Sequence, residues 1–150
     1  MNEAIQLAKQ GMQNNEGGPF GAVVVKDNQV VGRGHNRVTS VNDPTAHAEV
    51  CAIREACKNL DTYRLEGCEI YTSCEPCPMC LAAIYWAHVD KIFYACTRKD
   101  AASIGFDDDF LYKEINLIPA ERKIHADQIM QHEAYEVFKQ WMEKVDKMPY

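Results

Sequence analysis

Apolar residues along the chain fall into short periodic stretches separated by turn-forming clusters. Ile5, Ala8 and Met12 recur at helical spacing over residues 1 to about 14, and Gly17-Gly18-Pro19 stops that pattern. Two β-rich runs, Phe20 to Val25 and Gln29 to Gly32, flank Lys26-Asp27-Asn28 and predict a hairpin. Asp43-Pro44 predicts a helix start, with Asp as the N-cap and Pro at the first helical position. Val50, Ile53, Cys57 and Leu60 continue that helix as an apolar stripe. Cys68 to Thr72 reads as a strand, about Pro76 to Ala87 as a second helix, and Lys91 to Cys96 as another strand. Strand, helix, strand at this spacing makes a crossover unit with parallel neighbours. A sheet that opens with a hairpin and closes with crossovers is mixed, with helices on both faces. Beyond Lys99 the pattern weakens to an acidic turn at Asp107 to Asp109, a strand near Ile124 to Ile129, and an amphipathic helix from about Glu133 to Val145. No repeat, linker or low-complexity segment interrupts the chain, so one domain over residues 1–150 is expected.

Composition narrows the function classes. Hydrophobic residues make up 47% and charged residues 25%, as in ordinary globular domains. The longest apolar runs fall far short of the ~20 residues that span a bilayer, and the N-terminus lacks the basic-then-apolar build of a signal peptide. A cytoplasmic protein without a membrane partner is the expectation, and there thiols stay reduced. The seven cysteines then argue for metal binding or catalysis over a disulfide framework. A net charge of -6 offers no basic footprint for a long phosphate backbone, which weighs against a nucleic-acid substrate.

Two segments carry the candidate chemistry. His47-Ala48-Glu49 lies at the start of the helix expected after Asp43, and Pro76-Cys77-Pro78-Met79-Cys80 opens the next one. Cys77 and Cys80, three apart, place their sulfurs on one side of a helical turn and can grip one ion. Both segments put ligands at helix N-termini, where the positive dipole end favours thiolates. His47 and Glu49 are two apart and serve one site only if it lies off the helix end. Imidazole and sulfur donors select zinc over magnesium or calcium. Two thiolates and a neutral histidine balance the charge of Zn²⁺ and leave a fourth tetrahedral position for water, whose pKa falls toward neutrality. Glu49 then suits a proton carrier, taking a proton from that water and delivering protons to a ring nitrogen and a departing amine. His-x-Glu with a later Pro-Cys-x-x-Cys is the signature of zinc deaminases. A structural zinc with Cys74 as fourth ligand is the rival reading, and it leaves Glu49 without a role. The remaining cysteines, Cys51, Cys57, Cys68 and Cys96, fall on apolar positions and read as small hydrophobes.

His47-Ala-Glu49 with Thr72-Ser-Cys-Glu-Pro-Cys-Pro-Met-Cys80 resembles the cytidine deaminase-like superfamily. Within it, the chain resembles the bacterial guanine deaminases over essentially its whole length. The stretches that carry this are Gly17-Gly-Pro-Phe-Gly-Ala22, Asn42-Asp-Pro-Thr-Ala-His-Ala-Glu49, Ile84-Tyr-Trp-Ala87, Gly105-Phe-Asp-Asp108 and the final Tyr150. The resemblance implies a three-layer α/β/α fold, one Zn²⁺ per subunit on His47, Cys77 and Cys80, and Glu49 as the proton shuttle. It implies hydrolysis of guanine, a small purine base, to xanthine and ammonia. Asn36 matches the position that hydrogen-bonds the base, and Phe20 the aromatic that packs on the ring. Ala48, Trp86 and Tyr150 are counted with the substrate-binding positions. It also implies a homodimer in which the C-terminal segment crosses over and completes the neighbouring site. Asp108 has a chemical rationale besides: guanine presents N–H donors along its polar edge, and a carboxylate accepts from them strongly. Adenine lacks the N1 proton and would leave that carboxylate poorly paired. The shared metal motif keeps tRNA-adenosine deaminase and free cytosine deaminase as alternatives, and a zinc-stabilised binding module as a non-enzymatic one.

Overall fold

The computed structural model describes residues 1–149. Tyr150 therefore lies outside the described residues. The order is α1 (Asn2–Gln13), β1 (Gly21–Lys26), β2 (Gln29–His35), α2 (Val38–Val41), α3 (Ala48–Leu60), β3 (Cys68–Cys74), α4 (Pro78–Trp86), β4 (Lys91–Cys96), α5 (Arg98–Ser103), α6 (Asp109–Glu114) and α7 (Gln131–Glu143), with a 3-10 turn at Pro119–Glu121. Two compact units divide it, Met1–Asp108 and the residues from Asp109 onward.

The first unit holds the sheet, whose strands run β2-β1-β3-β4 among the described residues. The hairpin of β1 and β2 is antiparallel, β1 pairs antiparallel with β3, and β3 pairs parallel with β4 across α4. Asp27 and Asn28 alone make the hairpin loop, both at positive φ (49° and 62°), the geometry whose twist suits a two-residue connection. Alternation sorts the strands onto two faces. Ala22, Val24, Cys68 and Ile70 point to one side and join Ala48, Ala52 and Ala56 of α3 and Ile84 of α4 in the core. The opposite face receives α1 through its small buried residues Ala4, Ala8 and Gly11, with Gly11 against the His35 ring. The result is the mixed α/β/α sandwich that the sequence led us to expect. Ile70, Ile84 and Leu65 are almost fully buried, each contributing about 1.5–3 kcal/mol relative to exposure.

Some expectations are corrected. The helix after Asp43-Pro44 begins at Ala48 instead, with His47 as its N-cap. The Asp43 carboxylate accepts from the Thr45 N–H (2.8 Å) and hydroxyl (2.7 Å) as a cap would, but the turn closes once, Ala46 N–H to the Asp43 carbonyl (3.0 Å), and the extended backbone of His47 breaks it before a helix propagates. No strand forms near residues 124–129, which have no regular structure. Cys96 is exposed on the edge strand β4, so it is no core hydrophobe. In the second unit α6 and α7 are helical, and Val137, Phe138, Trp141 and Met142 of α7 are exposed.

Candidate metal and active site

Two helix starts build the site. His47 has extended backbone (φ -69°, ψ 157°) and its carbonyl accepts the first α3 bond from the Cys51 N–H (3.0 Å). As the N-cap it stands off the helix axis, so His47 and Glu49 share a site despite their spacing. Cys77 occupies the same position on α4 (φ -64°, ψ 167°), with Pro78 at the first helical position and Cys80 one turn in. His47 Nδ1 lies 3.6 Å from Cys77 Sγ and 3.5 Å from Cys80 Sγ. In a tetrahedral zinc centre with ordinary bond lengths the N···S separation is about 3.6 Å. All three ligand atoms lie within 4.8 Å of one another. Donor type, spacing and geometry thus fit zinc, bound by His47, Cys77 and Cys80.

The surroundings are poised for the charge. A hydrogen bond from the Cys80 thiol, with the His47 imidazole adding to it, lowers the Cys77 thiol to about 4. Cys80 is pushed far above the thiol range by that same bond and by burial. Zinc binding to the pair releases the thiol protons, since it is the thiolates that ligate. The bond to Cys77 raises His47. Glu49 is 7% exposed, and burial holds its carboxyl above the ordinary range. Its Oε2 lies 3.4 Å from Cys80 Sγ, which puts the carboxyl at the rim of the ligand group. Cys74 is not part of that group: its Sγ faces the Thr97 carbonyl oxygen (3.5 Å), and burial raises its thiol to about 11. Among the described residues, Cys74 does not join His47, Cys77 and Cys80 as the fourth donor that the structural-zinc reading requires.

The sequence profile described as the cytidine and deoxycytidylate deaminase zinc-binding region matches residues 1–96. The chain belongs to this deaminase family. It is 51% identical to the guanine deaminase of Bacillus subtilis (strain 168) over 150 residues, 100% of this chain and 96% of that one. The X-ray structure of guanine deaminase from Bacillus subtilis superposes with a TM-score of 0.97 at 52% identity, covering 99% of this chain and 95% of the other. The tRNA-specific adenosine deaminase of Aquifex aeolicus (strain VF5) is 42% identical over 96 residues, 64% of this chain and 63% of the relative.

Other residues of the deaminase that were singled out fall into place unevenly. Asn36 is buried, and its Oδ1 accepts from the Gly18 and Val38 N–H groups (3.2 Å each). Phe20 packs against the core edge next to it, and its carbonyl accepts from the Asn36 N–H (2.9 Å). Burial raises the Asp108 carboxyl, and the charge of Cys77 adds to the rise, so this carboxylate lies within electrostatic reach of the ligand group. Ala48 is 1% exposed with its methyl in the core, so only its backbone could meet a ligand. Trp86 is 65% exposed at the far end of α4, roughly 9 Å along the axis from Cys80. One residue was missed. The Phe106 ring meets the Phe20 ring edge to face, centroids 4.9 Å apart and planes at 90°. Its place in Gly105-Phe-Asp-Asp108 was the available signal, although no spacing rule reveals such a contact.

Proposed function

We propose that this protein hydrolyses free guanine to xanthine and ammonia. The observation that carries the reading is a carboxyl, Glu49, buried beside a His-Cys-Cys donor set; the reading gives Glu49 the proton transfer and Asn36, Phe20 and Asp108 the base. The guanine deaminase relative matched over the full chain supports the choice of base. Bound zinc would supply Lewis-acid activation of a water, bringing its pKa toward neutrality.

The protein's own residues do the rest. Glu49, whose burial raises its proton affinity, takes a proton from the attacking water and passes it to the ring nitrogen beside the amino-bearing carbon. It then takes the remaining proton from the hydroxyl now on that ring carbon and delivers it to the leaving amine. Asn36 has its carbonyl engaged by the backbone, which fixes the carboxamide and leaves its NH₂ group to donate to the base. Phe20 offers a ring face, and Asp108 accepts from the guanine N1–H and 2-amino group. Water adds at the ring carbon as ammonia leaves, so guanine and water balance xanthine and ammonia.

The same reading includes a homodimer in which the C-terminal segment of one copy completes the neighbour's site; the exposed apolar side chains of α7 support it. It treats residues 1–150 as one functional domain in the cytoplasm, where the thiolate ligands stay reduced. No described helix is long and apolar enough to cross a membrane.

Ammonia release from guanine, adenine, cytosine, guanosine and a tRNA anticodon hairpin tests the substrate. Guanine is expected to turn over fastest; turnover of the hairpin without guanine would replace this reading with tRNA-adenosine deamination. Asp108→Asn is expected to lower kcat/KM for guanine by roughly 10- to 100-fold, the worth of hydrogen bonds to a charged acceptor. Unchanged guanine turnover in that variant would remove Asp108 from base recognition.

A further inference from the structure

α5 ends in a specific way. The Gly105 N–H donates to the Ala102 carbonyl (3.0 Å) and the Phe106 N–H to the Ala101 carbonyl (3.0 Å). These two bonds, with Gly105 at φ 94°, make a Schellman stop that requires a left-handed residue. The stop fixes the backbone of Phe106 and starts the chain toward Asp108, two residues on. At its other end α5 is held by a capping box in which Thr97 and Asp100 satisfy each other's backbone N–H groups.

The Phe106 ring crosses to the opposite segment. It meets Phe20 edge-on, and its Cζ stands 2.9 Å from where a Cβ on Gly18 would be. Gly18 donates its N–H to Asn36 Oδ1 (3.2 Å), and the Asn36 N–H donates to the Phe20 carbonyl (2.9 Å). One aromatic contact therefore joins the segment carrying Asp108 to the segment carrying Phe20 and Asn36. Phe106 remains 46% exposed, so it adds little to the core. An aromatic kept half in solvent at the junction of two recognition segments serves alignment more than stability.

We infer that Phe106 is a positioning residue for base binding, holding the Phe20 ring edge-on and thereby aligning Phe20 and Asn36 with Asp108. The inference rests on the guanine reading. Phe106 acts through Phe20, and the Phe20–base contact is present equally before and during the reaction. Its loss should therefore raise KM and leave kcat nearly intact.

The test is steady-state kinetics on guanine with Phe106→Ala and Phe106→Leu, each with a thermal melt. Phe106→Ala is expected to raise KM about three- to tenfold, the range of an aromatic pair, with kcat close to the wild-type value. Phe106→Leu, which keeps apolar bulk without a ring edge, is expected to fall between Ala and wild type. Wild-type KM in both the Ala and Leu variants would overturn the inference. So would a loss of kcat that tracks a lowered melting temperature, since that marks a merely structural residue. A wild-type protein that leaves guanine untouched fails the substrate reading itself, before any variant is compared.

Discussion

Glu49→Gln is expected to lower kcat/KM for the deamination about 10²- to 10⁴-fold while zinc content and melting temperature stay at their wild-type values. The expectation follows from how Glu49 is held. It lies on the first turn of α3, buried, with Oε2 close to Cys80 Sγ and with His47, Cys77 and Cys80 gathered without it. A carboxamide has nearly the same shape and keeps an oxygen for the Cys80 contact, but it cannot accept and return a proton. Burial raises the carboxyl, which brings its proton affinity nearer to that of the groups it must serve. Metal analysis, a melt and ammonia release on one preparation separate the roles. Loss of zinc would recast Glu49 as a ligand, and activity within tenfold of wild type would remove it from proton transfer. Zinc content and fold without ammonia release from any base, in the wild-type protein, would instead revive the binding-module reading.

The ligand set was legible in the sequence because metal chemistry restricts both residue type and spacing: His47, Cys77 and Cys80 admit few other readings. The path by which His47 arrives was not legible. Asp43-Pro44 has the local form of a helix start and makes its cap bond to Thr45, yet the turn ends after one bond because His47 is held extended at the metal-ligand group. That backbone is set by tertiary placement of the ligand, and no periodicity reveals it. The hairpin and the β3-α4-β4 crossover were readable from alternation and turn residues, since each closes over a short stretch of chain. The strand expected near residues 124–129 failed for the opposite reason: a strand needs a partner edge, and alternation in one segment says nothing about who pairs with it. Phe106 escaped for the same cause, its partner Phe20 being far away in sequence. What bonds locally or to a common ion was written in the chain, and what depends on a distant neighbour was not.

Gly34→Ala is expected to destabilise the protein by about 3 kcal/mol or more, above the usual cost of one extra methyl in a packed core. Gly32 and Gly34 sit on the face of β2 that meets α3, opposite Ala48, Ala52 and Ala56, which recur every fourth residue. Small residues on both sides let helix backbone lie on strand backbone. A Cβ at Gly34 would meet the Ala48 carbonyl oxygen and the Ala52 nitrogen, with Cys51 Cβ 2.9 Å away. Neither backbone atom can swing aside as the end of a flexible side chain could, so the N-terminal turn of α3 must lift. That turn carries His47 and Glu49, and a displacement of about 1 Å there is enough to cost roughly 10²-fold in rate. Melting temperature and kcat/KM should therefore fall together, by roughly 6–12 °C for a chain of this length in the first case. Trimming the facing side chain, as in Gly34→Ala with Cys51→Gly, should restore neither quantity, because the chief obstruction is main chain. Recovery in the double variant would show side-chain crowding instead. A wild-type melt and turnover in the single variant would show that the helix bearing the catalytic carboxyl is not held by backbone contact at all.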